Sequence, residues 1–304
     1  MEIRTLRYFL AVAREENMTR AAEILHVTQP TLSKALKALE EELGKKLFIR
    51  RSFSIALTGE GMLLGDRAED LVMMADKIER EFLSLDDTAG GELYLGLAES
   101  WQIRHLARQI RGLKARCPAL RYHITSGDTE QVTERLDKGL LDFAVLCDLP
   151  DGQKYESISF PEVDAWGVVL PEDSGLARKP AFSAEDLAGL PLFASVQGWN
   201  GDIRRWAGPR FGDLTLEGSF RLAYNASLFV REGLGFQLTF EHLVDTSPGS
   251  GLAFRPLTPR LESRLYLIWN RYQPLTPIAE RFIAQVREGF RALQPLISHE
   301  NMVY

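Results

Sequence analysis

The segment Thr19–Gly44 has the sequence TRAAEILHVTQPTLSKALKALEEELG, and its pattern predicts two short helices joined by a tight turn. Thr19 and Thr28 are residue types that favour the N-cap, and Pro30 falls in a first helical turn, where its missing N–H costs nothing. Gly44 is placed to end the second helix. Leucines at helical spacing predict one apolar face on that helix: Leu32, Leu36, Leu39 and Leu43. The pattern indicates a helix-turn-helix.

The polar face of the second helix has the chemistry that the major groove of DNA requires. Gln29 can make paired hydrogen bonds to adenine, Lys34 can donate to guanine or phosphate, and Ser33 can serve either a base edge or the backbone. A solvent-facing side that happens to be polar is the alternative. The residues that we expect to contact DNA are Thr19, Thr28, Gln29, Pro30, Thr31, Ser33, Lys34, Lys37, Lys46, Arg50 and Arg51.

Both flanks of this segment extend the same module. Apolar residues at i, i+3, i+4 and i+7 predict a preceding helix: Leu6, Phe9, Leu10 and Ala13. After Gly44, two short extended runs surround a basic turn, which is typical of a wing whose Lys and Arg side chains reach phosphates or the minor groove.

The charge of the 304-residue chain is unevenly distributed, although its net value of −6 alone would argue against a nucleic-acid partner. Ten basic and seven acidic side chains give residues 1–58 a charge of +3. Residues 59–88 carry −6 and the remainder −3. A basic end on an acidic chain favours a nucleic-acid module, whereas a solvated face of mixed charge is the commoner explanation of so small an excess.

About sixty contiguous residues at this end resemble the winged helix-turn-helix of LysR-type transcriptional regulators. The motifs that carry the resemblance are Phe9-Leu10, Thr19-Arg20-Ala21-Ala22, Val27-Thr28-Gln29-Pro30-Thr31-Leu32-Ser33, Leu39-Glu40, Leu43-Gly44, Leu47-Phe48, Arg50-Arg51 and Leu57-Thr58 with Gly61. Lys34 stands where the family most often has Arg; it keeps the charge but loses the forked geometry. The resemblance implies sequence-specific binding of double-stranded promoter DNA, with RNA polymerase as a further partner.

Residues 59–88 contain an unbroken heptad seam, which suits a partner helix. Its members are Leu64, Ala68, Leu71, Ala75, Ile78, Phe82 and Leu85. One amphipathic helix packed on its own domain is the alternative. The resemblance to the family's linker helix favours dimerisation, and two DNA-binding heads would then contact half-sites about 34 Å apart or a multiple of that distance.

The remaining residues, 89–304, alternate strand and helix patterns, which predicts a parallel sheet covered on both faces. They resemble the family's effector-binding region, which has a two-lobed α/β fold like that of periplasmic binding proteins. Lobe one is expected at about 89–162 and 267–304, and lobe two at about 163–266. The whole chain is therefore expected to be an α+β multidomain protein that forms dimers and further pairs into tetramers.

An effector in such a fold binds between the lobes, where strands end and helices begin. The residues that we expect there are Ser100, Trp101, Asp128, Thr129, Gln197, Trp199, Asn225 and Phe236, with Gln237 as a weaker candidate. Plain helix capping is the alternative for Ser100 and Thr129. Because Glu99, Asp128 and Asp148 crowd this region and Arg104 is the one base at these turns, a neutral or cationic effector is expected.

Other functions have little support in the sequence. It contains no nucleophile elbow, phosphate-binding loop or metal-ligand spacing, so we expect neither an enzyme nor a bound cofactor or metal. Two cysteines and no long apolar run favour a cytoplasmic protein without a membrane partner. Cys147 is expected to be a plain buried thiol, with redox sensing as the alternative. Two other hypotheses remain, a small-molecule binding protein with a residual head and an architectural DNA-bending protein.

Overall fold

The computed structural model describes residues 1–50, 54–84, 90–148 and 151–300. The chain forms two compact units, Met1–Ser84 and Leu85–Tyr304. The elements of the first unit are α1 (Ile3–Glu15), α2 (Met18–Ile24), α3 (Gln29–Leu43), β1 (Phe48–Arg50), β2 (Ile55–Leu57) and α4 (Gly59–Ser84). The predicted helix-turn-helix is confirmed as α2 and α3.

One apolar core holds the first three helices and the wing together. Leu6 and Phe9 of α1 are buried against Leu32, Leu36 and Leu39 of α3. Burial of a side chain of this size contributes about 2 kcal/mol relative to exposure. Leu43, predicted on the same apolar face, is 40% exposed because it lies in the last turn, beyond the core.

The N-cap of α2 is Asn17, and the prediction of Thr19 for that position was wrong. Asn17 Oδ1 accepts hydrogen bonds from the amides of Thr19 and Arg20, over 2.9 and 3.0 Å. Thr19 is thus a residue of the first helical turn, with an exposed side chain. Asparagine caps as well as threonine, so residue type alone could not fix the boundary.

The ends of α3 are as the sequence predicts. Thr28 is the N-cap and accepts from the amide of Thr31, and Pro30 lies in the first turn. Gly44 ends the helix with φ of 64°, a left-handed conformation that glycine adopts without a steric penalty.

Strands β1 and β2 pair antiparallel and form the predicted wing, with Phe48 opposite Leu57. The Glu40 carboxylate holds the start of the wing against α3, because it accepts hydrogen bonds from the amides of Leu47 and Phe48 over 2.8 and 3.4 Å. Arg51 lies outside the described residues, so its predicted role is not tested.

The apolar residues of α4 divide along the helix. Ala68 is fully buried in the core of the first unit, with Leu64 packed against that core. Farther along, Leu71, Ile78 and Phe82 have large exposed surfaces. Leu85, the last member of the predicted seam, lies outside the described residues.

The second unit is built on a nine-stranded mixed sheet, ordered β4-β3-β5-β11-β6-β9-β7-β8, with β10 beside β6. The strands are β3 (Gly90–Leu97), β4 (Ala119–Ser126), β5 (Phe143–Leu146), β6 (Tyr155–Pro171), β7 (Pro191–Ser195), β8 (Thr215–Phe220), β9 (Phe236–Phe240), β10 (Leu252–Pro256) and β11 (Glu262–Asn270). The helices are α5 (Ile103–Arg116), α6 (Thr129–Asp137), α7 (Ala184–Leu187), α8 (Val196–Gly198), α9 (Arg204–Ala207), α10 (Ala223–Arg231) and α11 (Pro277–Glu300).

The sheet is only partly the parallel one that the sequence predicts. Strands β3, β4 and β5 are parallel, as are β7, β8 and β9. Strands β6 and β11 run antiparallel to their neighbours and continue through both halves of the sheet. Alternation of strands and helices identifies parallel units but gives no sign of two long strands that connect them.

Two lobes with separate cores flank these connecting strands. Lobe one comprises β3, β4, β5, α5, α6 and α11, and its core includes Leu95, Phe143 and Phe282. Lobe two comprises β7 to β10 and α7 to α10, and its core includes Leu192 and Leu238. The register of β11 on β6 shifts between Arg264 and Tyr266, which marks the passage between the lobes.

Candidate DNA-binding surface and effector cavity

The N-terminal half of α3 presents an exposed polar surface. Gln29, Pro30, Thr31 and Lys34 are exposed, whereas Ser33 is half-buried. The Thr28 and Thr31 hydroxyls lie 2.8 Å apart and hydrogen-bond each other. These residues therefore lie together at the start of one helix, which is the part that enters the major groove in helix-turn-helix proteins.

The basic residues near this surface differ in how much of their charge is already paired. Lys37 lies 3.5 Å from Glu41, both exposed, a pair of little energetic value. Lys46 Nζ donates to Glu40 Oε2 over 2.6 Å. Lys34 makes no ion pair with any described residue, so it is the lysine of α3 that is most available to a phosphate or base.

Glu40 is held in its ionised form by the wing. Its partial burial acts to raise the pKa, but the hydrogen bonds from Lys46 and from the amides of Leu47 and Phe48 outweigh this and lower the pKa from its ordinary 4.5. Lys46, predicted to contact phosphate, therefore also ties the start of the wing to α3.

A cavity of about 910 Å³ lies between the two lobes of the second unit. In lobe one the cavity is lined by the ends of β3, β4 and β5. In lobe two it is lined by residues of β7 and β9 and by the N-terminus of α10. This position, at strand ends and helix starts, is where ligands bind in open α/β sheets.

Three of the eight predicted effector residues line the cavity: Asp128, Thr129 and Gln197. Asp128, and not Thr129, is the N-cap of α6, and it accepts from the amide of Gln131 over 3.0 Å. Thr129 is the first helical residue, and its hydroxyl accepts from Gln197 Nε2 of lobe two over 2.8 Å.

The other predicted effector residues lie away from the cavity lining. Trp199 packs on Phe211 in the core of lobe two, because the turn after Ser195 directs it inward. Trp101 is 47% exposed beside His242, and Asn225 lies on the exposed side of α10. The remaining residues are partly or fully buried elsewhere: Ser100, Phe236 and Gln237.

Ser100 belongs to a buried polar cluster beside the connecting strands. Its hydroxyl donates to Asp164 Oδ2 over 2.5 Å and accepts from the amide of Gln102 over 2.9 Å. Burial raises the pKa of Asp164 to about 6, against opposing effects of the Ser100 hydrogen bond and Arg104. Asp164 could not be predicted as a site residue from the sequence, since a single aspartate within a strand carries no motif.

Polar contacts join the lobes across the cavity at two places. Gln197 Nε2 also approaches Asp148 Oδ2 at 3.3 Å, and its Oε1 accepts from the Thr129 amide at 3.3 Å. On another side, Glu99 Oε2 of lobe one accepts from the amide of Ala223 in lobe two over 2.8 Å.

The charged residues of the cavity lining are mostly acidic. Its carboxylates are Glu99, Asp128, Glu130, Asp148 and Asp202, and Arg221 is the one basic residue among the described residues that line it. Arg104, which the sequence placed here, instead pairs with Glu162. The lining therefore favours positive over negative charge in a ligand.

Cys147 also lines the cavity, where its surroundings disfavour the thiolate form. Burial, with further contributions from Asp164 and Asp148, raises the pKa of its thiol to about 12. A thiol needs its thiolate form to react with peroxide, so the environment argues against redox sensing.

The described ranges contain neither a metal-ligand cluster nor a helix suited to cross a membrane. His, Cys, Asp and Glu form no group of three or more suited to a metal ion there. No helix in these ranges combines the length and the apolarity that crossing a bilayer requires.

Comparisons with known proteins place this geometry in a family. The model described as bacterial regulatory helix-turn-helix protein, lysR family, matches residues 3–62, and that of the LysR substrate binding domain matches residues 86–291. The Hca operon transcriptional activator HcaR of Escherichia coli K12 is 28% identical over 303 residues, covering 95% of this chain and 98% of HcaR. The DNA-binding transcriptional dual regulator OxyR of the same organism is 33% identical over 200 residues, which cover 65% of each chain.

Solved structures show the same fold. Full-length CbnR complexed with its target DNA matches with a TM-score of 0.75 at 20% identity, covering 95% of this chain and 100% of that one. HinK of Pseudomonas aeruginosa matches with a TM-score of 0.55 at 23% identity, covering 95% and 98%. The sequence relatives are transcriptional regulators, not enzymes, and they favour regulation over ligand binding without a DNA function. The chain belongs to the LysR family and is a DNA-binding transcriptional regulator with an effector-binding domain.

Proposed function

We propose that the interlobe cavity binds a neutral or cationic small molecule and that this effector changes how the regulator holds promoter DNA. The observation that carries the proposal is that, among the described residues lining the cavity, five carboxylates stand against one base, Arg221. Charges that surround a cavity of low dielectric raise the local concentration of ligands of opposite sign and disfavour those of like sign. An anionic effector would face this field without a matching set of bases.

The contacts across the cavity supply a way for the effector to act. A ligand that contacts Thr129 from one side and Gln197 from the other changes the balance between open and closed lobes, because it binds one arrangement more tightly. Such a closure alters the spacing of DNA-binding heads in an oligomer and hence the bend of the DNA.

The regulator acts as a dimer in this proposal, with α4 as the dimerising element. Leu71, Ile78 and Phe82 recur at heptad spacing and keep large exposed surfaces after the first unit has folded. A second copy of the same helix would cover them and would bring a second α3 to an adjacent half-site. Tetramers through the effector units and contact with RNA polymerase are expectations from the family resemblance.

The experiment compares the complex between the full-length protein and DNA upstream of its own gene, with and without members of a metabolite panel. The panel is sorted into amines, neutral compounds, and mono- and dicarboxylates, and the readout is footprinting. Val196→Trp places a bulky side chain in the cavity lining and narrows the space for a ligand, since Val196 lines the cavity and is 57% exposed. Leu234→Trp is the control, because Leu234 is also exposed in lobe two, at 54%, but lies outside the lining.

An amine or a neutral compound should change the footprint of the wild type and of Leu234→Trp but not of Val196→Trp. If only carboxylates change it, the proposed effector class is wrong. If the response persists in Val196→Trp, the cavity is not the effector site.

A further inference from the structure

Two helices of the effector unit with more than two turns begin at the wall of the interlobe cavity: α6 at Thr129 and α10 at Ala223. The first N–H groups of a helix have no partner within it and carry partial positive charge. Such an N-terminus is the usual place for a carboxylate or phosphate ligand. Whether these two N-termini are already occupied by an acceptor therefore decides whether the cavity can accept an anion.

Side chains of the protein itself already occupy these positions. Asp128 accepts from the Gln131 amide in α6 over 3.0 Å. It is an ordinary cap from the residue that precedes the helix. The N-terminus of α10 differs, because the residue before it is Leu222, whose side chain has no acceptor.

The carboxylate on α10 comes from the opposite lobe. Glu99 follows the end of β3 in lobe one, and its Oε2 accepts from the amide of Ala223, the first residue of α10, over 2.8 Å. Glu99 and Ala223 both line the cavity. A carboxylate that bridges the lobes thus sits at the position where the carboxylate of an anionic ligand would bind.

We infer that Glu99 is the residue that excludes carboxylate effectors from the cavity, by acting as a built-in occupant of the N-terminus of α10. An incoming anion would have to displace Glu99 and would then leave that charge unpaired near Asp128 and Asp148. A neutral or cationic ligand can bind without breaking the contact. The inference rests on the proposed function, because it takes the cavity as the effector site.

The first test is calorimetry with succinate as the probe on the full-length protein. The wild type should bind succinate weakly or not at all, and Glu99→Ala should bind it about tenfold more tightly or better, the value of one hydrogen bond to a charged group. Glu232→Ala is the matched control, because Glu232 is exposed at the other end of α10 and its loss changes the net charge equally. It should bind like the wild type.

A second variant locates the binding position. Ala223→Pro removes the N–H that faces Glu99, at the first helical position, where proline is well tolerated. Leu222 before it has φ −116° and ψ 121°, the extended conformation that a following proline requires. Adding Ala223→Pro to Glu99→Ala should reduce the gained succinate affinity severalfold.

Equal succinate affinity in the wild type and Glu99→Ala, or an equal gain in Glu232→Ala, would overturn the inference. If Glu99→Ala does not fold, Glu99→Gln and Glu232→Gln provide the same comparison. A smaller gain in succinate affinity is expected for Glu99→Gln, because its amide oxygen can still accept a hydrogen bond.

The result for Glu99 can be distinguished from that for the proposed function. A succinate gain in Glu99→Ala without any response of the DNA complex to amines or neutral compounds supports Glu99 and contradicts the proposed effector class. The reverse result contradicts only the role of Glu99.

Discussion

Gln197 of lobe two and Thr129 of lobe one hydrogen-bond each other twice across the cavity. The Gln197 amide nitrogen donates to the Thr129 hydroxyl over 2.8 Å, and the Thr129 amide donates back to Gln197 Oε1 at 3.3 Å. Both residues were expected to contact an effector, and in the structure they contact each other. An effector at this place would compete with a bond that holds the lobes together.

Gln197→Ala should loosen this side of the cavity. The lost neutral hydrogen bonds are worth about 1 kcal/mol, which corresponds to roughly fivefold faster hydrogen exchange at the Thr129 amide. Val196→Ala changes the adjacent exposed residue without touching these bonds and serves as the control. Unchanged exchange in Gln197→Ala would show that the contact does not restrain the lobes.

Glu40→Ala should destabilise the first unit by about 2 kcal/mol, because it removes hydrogen bonds to a charged acceptor from two wing amides. Since folding lowers the pKa of Glu40, its contribution is complete above the ordinary pKa of 4.5 and is lost as pH falls below it. Urea unfolding at pH 7 and pH 4 measures both effects. Glu41→Ala, an exposed neighbour on α3, should cost much less; equal losses would contradict the role of Glu40 in the wing.

Asp164→Asn should stabilise the second unit at neutral pH. Folding raises the pKa of Asp164 from 3.8 to about 6. Above pH 6 the ionised carboxylate therefore destabilises the folded state by up to about 3 kcal/mol. This destabilisation disappears as pH falls from 6 toward 3.8. Asparagine avoids the charge and can still accept from Ser100. Calorimetric unfolding should show that Asp164→Asn is more stable than the wild type at pH 7 and that this difference in stability is smaller at pH 5. The exposed Asp173→Asn is the control, and a pH-independent difference in Asp164→Asn would refute the assignment.

Ile78→Glu should weaken self-association. Ile78 is 45% exposed on the predicted seam of α4, and a charge there would be buried against its own copy in a dimer. Sedimentation equilibrium at micromolar concentration should show monomer for this variant and dimer or tetramer for the wild type. Leu63→Glu changes an exposed leucine off the seam and should leave association unchanged. A dimeric Ile78→Glu would mean that α4 is not the dimerising element.

The sequence predicts well those features that depend on local periodicity. Leu32, Leu36 and Leu39 repeat at helical spacing, so α3 and its buried face follow from the pattern alone. Gly44 and Pro30 fix its ends through backbone chemistry that needs no tertiary contact. The N-cap of α2 was predicted at Thr19 and lies at Asn17, because both are suitable residue types.

The interlobe cavity could be predicted only in part, because its lining is set by contacts between distant segments. Thr129 and Gln197 were found since they follow strand ends. Trp199 was misplaced because its direction depends on the irregular turn after Ser195, and Asp164 was missed because burial, not sequence context, makes it unusual.

We expect α3 to contact specific bases of a promoter. The decisive measurement is footprinting of the full-length protein on DNA upstream of its own gene, with the Gln29→Ala, Ser33→Ala double variant beside the wild type and circular dichroism to confirm folding. The wild type should protect a defined region, and the folded double variant should protect none at the same concentration. An unchanged footprint in the double variant would contradict the assignment of α3 as the recognition helix.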